Sequence, residues 1–149
     1  KNLPSEKRTG IVHGDYSLTN VMIGKNDPNV IAILDWELST LGDPCADFNY
    51  HCLQYTMNPK LADKDYFRNQ GIPVIDEYVK MYSEKINVDL TEEWDLYSAY
   101  NLFKLAGILQ GILGRVRDGT AAHENAAERA SGVRNLSDKA WDLVKKNFL

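Results

Sequence analysis

The sequence predicts an α+β fold that is mostly α, in which a short β ribbon carries polar loops and packs on a helical bundle. In the first third of the chain, short apolar runs alternate with segments rich in Gly, Pro, Asn and Asp, which is typical of strands joined by turns. From about Ala46 onward, apolar residues recur every three or four positions, as they do in helices. A chain of 149 residues with 44% hydrophobic content can bury one sizeable core, so we expect a single domain over residues 1–149.

The predicted strands are three short apolar runs at residues 11–13, 21–23 and 30–34. Gly14 and Asp15 follow the first run, and the turn-forming segment 25–29 separates the second from the third. This pattern predicts a small β ribbon whose connections carry polar side chains.

The rest of the chain is predicted to be helical, and two residues mark where helices begin. Pro73 stands where a first helical turn tolerates proline, and Thr91 is a candidate N-cap. The predicted helices run from about Ala46 to Asn58-Pro59, from Pro73 to Ile86, from Thr91 to Arg117, over residues 126–130 and over residues 136–148.

The long third helix is apolar nearly all round, which predicts a buried central helix. Its glycines, Gly107, Gly111 and Gly114, follow no strand, so we interpret them as sites of close helix packing and not as a phosphate-binding loop. In the last helix, Trp141, Val144 and Phe148 are spaced for one packed face.

Composition excludes several classes of partner. The chain has 17 Lys and Arg against 21 Asp and Glu, and a net charge of −4 with interspersed signs argues against nucleic acid. No apolar stretch approaches the roughly 20 residues that span a bilayer, so we expect no membrane partner. Cys45 and Cys52 form no CxxC pair, which argues against a disulfide framework or a zinc site and favours the reducing cytoplasm.

The most informative residues are His13-Gly14-Asp15, then Asn20, then Asp35 at the end of an apolar run. An aspartate at a strand-to-loop turn can accept a hydrogen bond from an incoming hydroxyl, and a second strand brings another carboxylate close. Oxygen ligands of this kind suit Mg²⁺. Phosphoryl transfer from a magnesium nucleotide requires such positioning and charge neutralisation more than covalent chemistry.

The pattern H-G-D-x-x-x-x-N, followed by a strand that ends in D-W-E, resembles the aminoglycoside phosphotransferase and choline kinase group, which shares the protein-kinase fold. The resemblance implies that Asp15 positions the acceptor hydroxyl and takes its proton. It also implies that Asn20 and Asp35 hold Mg²⁺ and thereby ATP. His13 would support the catalytic loop, and Gly14 would allow its backbone shape.

The segment Gly42 to Asp47 resembles the G-D-P-x-x-D segment of the same group, in which the last aspartate hydrogen-bonds to the backbone of the catalytic loop. Asp47 is therefore expected to support the loop. Glu37 is a candidate metal ligand or a partner of one, because some relatives have a D-x-E pair at the metal. Trp36 is a candidate substrate contact, with groove lining as the alternative.

A narrower resemblance, carried by residues 33–44 and 106–112 with Arg115 and Gly119, is to the phosphotransferase branch associated with acyl-CoA dehydrogenases. It implies a hydroxyacyl-CoA acceptor, while aminoglycoside-like and choline-like acceptors stay open. Arg115 and Arg117 are candidate contacts for coenzyme A phosphates, and solvated helix-end charges are the alternative. The resemblance covers only the C-terminal lobe of such kinases, so we expect this chain alone to bind ATP weakly and to transfer phosphate poorly.

Two other functions stay open at this point. A metal-dependent hydrolase could use His13, Asp15 and Asp35 to bind a metal that activates water. Alternatively, the chain could be a non-catalytic kinase-like module that binds a partner. A homodimer is also expected, because a lobe without its companion lobe leaves an apolar groove open.

Overall fold

The computed structural model describes residues 8–57, 64–122 and 124–149, and gives the side chains of these residues except Lys64, Arg129 and Phe148. The chain divides into two compact units, with the boundary between Trp94 and Asp95. The single-domain organisation stays a prediction. Within the described residues, no helix is both long enough and apolar enough to cross a membrane.

The strands lie in the first unit and form two separate antiparallel pairs. Strand β1 pairs with β4 so that Ile11 faces Leu41, and β2 pairs with β3 so that Val21 faces Ile33. The strands are β1 (Gly10–Val12), β2 (Val21–Ile23), β3 (Val30–Ile33) and β4 (Thr40–Gly42).

The three predicted strands are confirmed, but the expectation that they form one ribbon is wrong. Strand β3 pairs with β2, whereas β1 pairs with β4, which the sequence analysis did not predict. A three-residue strand with one large apolar side chain, Leu41, has no periodic pattern of its own, and it is a strand because β1 supplies its hydrogen-bonding partners.

The first unit also contains helices α1 (Cys45–Met57), α2 (Lys64–Asn69) and α3 (Ile75–Ile86). Helices α1 and α3 agree with the predicted segments, α2 was not predicted, and Asn58-Pro59 lies outside the described residues. The phenyl ring of Phe48 stacks on that of Tyr82 with centroids 3.8 Å apart, which joins α1 to α3. Both cysteines are buried and free, which is typical of small apolar groups in a core.

A charged cluster holds the start of α1. The Asp43 carboxylate accepts a hydrogen bond from the Cys45 backbone at 3.0 Å, which caps the helix. The Arg8 guanidinium donates to both Asp43 oxygens at 3.1 and 3.2 Å and also to the buried Glu93 carboxylate. Because each charge in this partly buried cluster meets an opposite one, the arrangement avoids the cost of burying an isolated ion.

The second unit is helical and contains α4, which begins at the unit boundary (Trp94–Arg117), α5 (Ala126–Arg129) and α6 (Val133–Phe148). These helices confirm the predicted segments to within a few residues. The side chain of Asn147 near the end of α6 donates a hydrogen bond of 2.8 Å to the Asp95 carboxylate at the start of α4. The buried apolar residues of this unit include Leu102, Ala106, Ala130, Leu136 and Ala140.

Several expectations for the second unit are wrong. Helix α4 is not buried all round, since Tyr100 and Phe103 are 57% and 71% exposed. A β-carbon added at Gly107 or Gly114 would meet nothing within 4 Å, so these glycines do not mark close packing. Trp141 is 55% exposed, because the buried stripe of α6 runs instead through Leu136 and Ala140, four residues apart.

Apolar side chains on the strands are exposed as well, among them Ile11 at 68% and Leu41 at 74%. Exposed apolar surface is compatible with association. The homodimer stays a prediction.

Candidate active site

The loop after β1 is held by one carboxylate from α1. Asp47, at the third position of that helix, accepts hydrogen bonds from the backbone N–H groups of His13 and Gly14, the latter at 3.0 Å. Two adjacent backbone donors on one carboxylate fix the direction of the chain at this turn. Asp47 therefore contacts the backbone of the loop that carries Asp15, and its role in catalysis stays a prediction.

His13 lies inside the protein, with 2% of its surface exposed. Its Nδ1 accepts a hydrogen bond of 3.2 Å from the Asp15 backbone N–H, so the ring proton is on Nε2, which donates to the Leu34 carbonyl at 2.7 Å. His13 therefore ties the loop that carries Asp15 to the end of β3, and both ring nitrogens are engaged.

Both the backbone conformation at position 14 and the limited space around it require glycine. Its φ is +87°, in the left-handed region that other residues rarely adopt. A β-carbon there would also lie 2.5 Å from the Leu38 carbonyl oxygen, closer than a carbon–oxygen contact permits. The loop can thus pass close to the 3-10 turn Trp36–Leu38 only with glycine at this position.

Two donors contact the Asp15 carboxylate. The Asn20 side-chain nitrogen donates to Asp15 Oδ2 at 3.2 Å and to the Asp15 backbone carbonyl at 2.9 Å. The Tyr50 hydroxyl donates a second hydrogen bond to the carboxylate. Burial, together with the neighbouring charge of Asp15, raises the pKa of Tyr50 to about 12, so the phenol stays protonated at neutral pH.

Asp35 follows the end of β3 beside Asn20. The Leu34 N–H donates to the Asn20 carbonyl at 2.8 Å, which continues the β2–β3 ladder up to the residue before Asp35. Asp35 has left-handed backbone angles, φ 67° and ψ 55°, and is exposed. Asp15, Asn20 and Asp35 are therefore brought to one region by one side-chain contact and one backbone contact.

Trp36 and Glu37 form the 3-10 turn after Asp35, and both are exposed. The Trp36 indole N–H donates to the Ile33 carbonyl at 2.8 Å, and its ring lies 4.7 Å from the His13 ring. These contacts fix the indole beside the catalytic loop, while 45% of the residue stays accessible. The roles of Glu37 with a metal and of Trp36 with a substrate stay predictions.

Arg115 and Arg117 lie in the last turn of α4, in the second unit, and both are exposed. The Arg117 guanidinium donates to the adjacent Asp118 carboxylate at 3.1 Å. Their contact with a substrate stays a prediction.

Tyr50 is the residue of this site that the sequence analysis missed. Its spacing of three residues from Asp47 and from Leu53 indicates only a core position of a helix. The available signal was its distance of three residues from Asp47, which places both side chains on the same face of the helix. That face was already expected to support the catalytic loop.

Comparison with known proteins then identifies the chain. A sequence model of the phosphotransferase enzyme family (APH) matches residues 1–100, more than half of the chain. This chain belongs to that phosphotransferase family. The membership and the α+β architecture confirm the predicted family and fold class.

This phosphotransferase chain matches parts of longer proteins. The chain is 37% identical over 150 residues to mouse acyl-CoA dehydrogenase family member 10, and 33% identical over 153 residues to human acyl-CoA dehydrogenase family member 11. The matches cover 97% and 99% of this chain, but only 14% and 20% of those relatives.

A solved structure of another protein also resembles this chain. A protein of Ralstonia eutropha JMP134, assigned as an aminoglycoside phosphotransferase, superposes with a TM-score of 0.84 at 40% identity. The match covers 95% of this chain and 44% of that one. The chain thus spans less than half the length of each of these relatives.

The geometry of this phosphotransferase chain contradicts the hydrolase hypothesis. That hypothesis required a ring nitrogen of His13 to bind a metal, but one nitrogen accepts from Asp15 and the other donates to Leu34. Nor do His, Cys, Asp and Glu form any group of three suited to a metal ion in the described parts of the chain.

An oxygen site for Mg²⁺ on nucleotide phosphates fits better. The Asn20 amide nitrogen donates to Asp15, and the Asn20 side-chain oxygen is the atom of this group that could contact a cation. Asp35 adds an exposed carboxylate at the neighbouring position. These are hard oxygen donors, and Mg²⁺ commonly takes only one or two protein ligands when phosphates supply the rest.

Proposed function

We propose that this chain carries the catalytic residues of an ATP-dependent phosphotransferase that transfers the terminal phosphate to a hydroxyl group of a small molecule. Asp15 acts as the base, and Asn20 and Asp35 are the magnesium ligands. Family membership supports the class of reaction, and the choice of nucleotide, metal and acceptor is our proposal.

The arrangement of Asp15, Asn20 and Asp35 is the observation that carries this proposal. The Asn20 side chain contacts the Asp15 carboxylate, and the Asn20 backbone accepts from the residue before Asp35. The proposed base thus contacts one proposed ligand, and the backbone contact at Leu34 brings the other, Asp35, to within one residue of it. In-line transfer requires this closeness, since the acceptor hydroxyl and the metal-bound phosphate must meet.

Each residue has a limited task in this mechanism. Asp15 accepts a hydrogen bond from the acceptor hydroxyl and takes its proton as the hydroxyl oxygen bonds to the terminal phosphorus of ATP, while the bond from that phosphorus to the bridging oxygen breaks and ADP leaves. Asn20 and Asp35 would hold the cation through their side-chain oxygens. Mg²⁺, when bound, supplies positive charge that offsets the charge of the phosphates. His13 and Asp47 hold the loop so that Asp15 stays in place.

We further propose a hydroxyacyl-CoA as the acceptor. The relatives named as acyl-CoA dehydrogenase family members support this choice, because their matches extend over nearly the whole of this chain. The solved relative assigned as an aminoglycoside phosphotransferase keeps an aminoglycoside as the second candidate.

Transfer of labelled terminal phosphate from ATP tests the reaction. The full-length protein is assayed with hydroxyacyl-CoA, aminoglycoside and choline acceptors, with Mg²⁺ and after its removal by EDTA. We expect transfer that requires Mg²⁺ and that falls roughly 10²- to 10⁴-fold in Asp15→Asn, the usual contribution of a positioned base. Asp35→Asn should also lose most transfer.

Asp27→Asn is the matched control, because Asp27 is exposed in the turn between β2 and β3, where its carboxylate accepts a hydrogen bond from the Asn29 side chain. Its activity should equal that of the unchanged protein. Transfer that survives largely intact in both Asp15→Asn and Asp35→Asn would refute the proposed function.

A further inference from the structure

We propose that Tyr50 is a positioning residue, which holds the Asp15 carboxylate in the orientation needed to receive the acceptor's proton. The inference rests on the proposed function and adds a residue to it. Tyr50 does not touch the phosphate or the acceptor in this mechanism; it acts through Asp15.

Helix α1 places Tyr50 where this role requires it. Asp47, one turn earlier, holds the backbone of His13 and Gly14, and Tyr50 reaches the side chain of the next residue, Asp15. His51 follows with its ring 5.6 Å from that of Tyr16. One face of α1 therefore contacts four successive residues of this loop. It contacts the backbone of His13 and Gly14 and the side chains of Asp15 and Tyr16.

The Asp15 carboxylate needs such a contact. The terminal torsion of an aspartate has a broad energy profile, so a carboxylate held by one donor can still rotate. Asn20 contacts Oδ2 at 3.2 Å. A second donor, the Tyr50 hydroxyl from helix α1, restricts that rotation. The carboxylate has more lone pairs than these two donors use, so it can still accept a substrate hydroxyl.

Tyr50 is suited to be a permanent donor. It is half-buried, and its hydroxyl is attached to a rigid ring on a regular helix, so its position costs little conformational entropy. Its raised pKa keeps the proton on the phenol over the whole physiological range. A group that never ionises there orients the base without competing with it for the substrate's proton.

The test removes only the hydroxyl, in the full-length protein. Tyr50→Phe should lower kcat roughly 10-fold, while KM for ATP and for the acceptor stay within about twofold, because no substrate contact is lost. Tyr55→Phe is the control: Tyr55 is on the same helix and donates to the Pro73 carbonyl at 3.0 Å. Its kcat should be unchanged although it loses a hydrogen bond.

A double-mutant cycle separates positioning from general damage. If Tyr50 acts through Asp15, adding Tyr50→Phe to Asp15→Asn should change the residual rate by less than about twofold. An equal loss in both backgrounds, a kcat near that of the unchanged protein, or an effect confined to KM would overturn the inference. The proposed function would stand in each case, because Asp15→Asn tests it separately.

A crystal structure of Tyr50→Phe gives an answer that does not depend on activity. We expect the Asp15 carboxylate to adopt more than one orientation, with its contact to Asn20 lengthened beyond 3.2 Å in part of the molecules. A carboxylate that keeps one orientation and this contact would overturn the role of Tyr50 even if no phosphate transfer were detected.

Discussion

The segment that carries the candidate site, residues 13–47, and the helical unit that begins at Asp95 are stabilised by different forces. In the candidate-site segment, hydrogen bonds that involve His13, Asn20 and Asp47 fix the loops, while many apolar side chains on the strands are exposed. In the helical unit, apolar residues such as Leu102 are buried, and the ion pairs are on the surface. Geometry is thus specified by directional contacts in one region and by packing in the other.

This difference has a physical reason. A hydrogen bond fixes the distance and direction of two groups, which a site for proton transfer requires. Apolar burial is non-directional, and it stabilises a scaffold without fixing any one polar atom. Substitutions in the helical unit should therefore change mainly the free energy of unfolding, and substitutions in the polar segment should also displace the loops. Three experiments test this contrast.

The largest expected effect on stability is in the helical unit. Leu102→Ala should lower the free energy of unfolding by about 2–5 kcal/mol, because Leu102 is 2% exposed and its loss leaves a cavity. Phe103→Ala, the next residue on the same helix, is 71% exposed and should change it by less than about 0.5 kcal/mol. Urea denaturation measures both. Similar losses in the two variants would contradict a packing-based scaffold.

The second prediction concerns the polar region. Asp47→Ala leaves the backbone N–H groups of His13 and Gly14 without their acceptor, which should cost about 2–3 kcal/mol. Hydrogen exchange of these two amides should accelerate, and kcat should fall with the displaced loop. The matched control is Asp142→Ala, whose carboxylate is 70% exposed beside Lys145. Unchanged protection of the Gly14 amide in Asp47→Ala would contradict the assigned role.

The smallest expected effect is a loss of stability at alkaline pH, which arises from groups in the first unit. Burial raises the pKa of the Cys52 thiol from 9.0 to about 12. Between these values the unfolded chain has lost the proton and the folded chain keeps it, so stability falls as pH rises above about 9. The loss should reach about 1 kcal/mol at pH 10.

Cys52→Val removes this titration, and its stability should decline less between pH 8 and pH 10 than that of the unchanged protein. Other thiols and phenols of the first unit contribute in the same direction, since burial raises the pKa of Cys45, Tyr50, Tyr55, Tyr78 and Tyr82. Equal pH slopes for the two proteins would show that Cys52 does not contribute.

Local patterns predicted the elements that have a strong pattern of their own. Helix α4 was predicted from Thr91 to Arg117 and spans Trp94–Arg117, and β3 follows its apolar run. The weak patterns of β4 and α2 were missed. Trp141 and Gly107 were misinterpreted, because spacing along a helix does not reveal which face meets a neighbour.

By itself the sequence determined the chemical groups of the site, because His13, Asp15, Asn20 and Asp35 lie at the spacing of a phosphotransferase family to which the chain belongs. The folded structure was needed to show that β1 pairs with β4, that the His13 proton is on Nε2, and that the Tyr50 hydroxyl contacts Asp15. These features join residues from 21 to 35 positions apart, as the contacts of His13 with Leu34 and of Asp15 with Tyr50 illustrate. Contacts at such separations are set by how the elements pack, so local spacing carries no record of them.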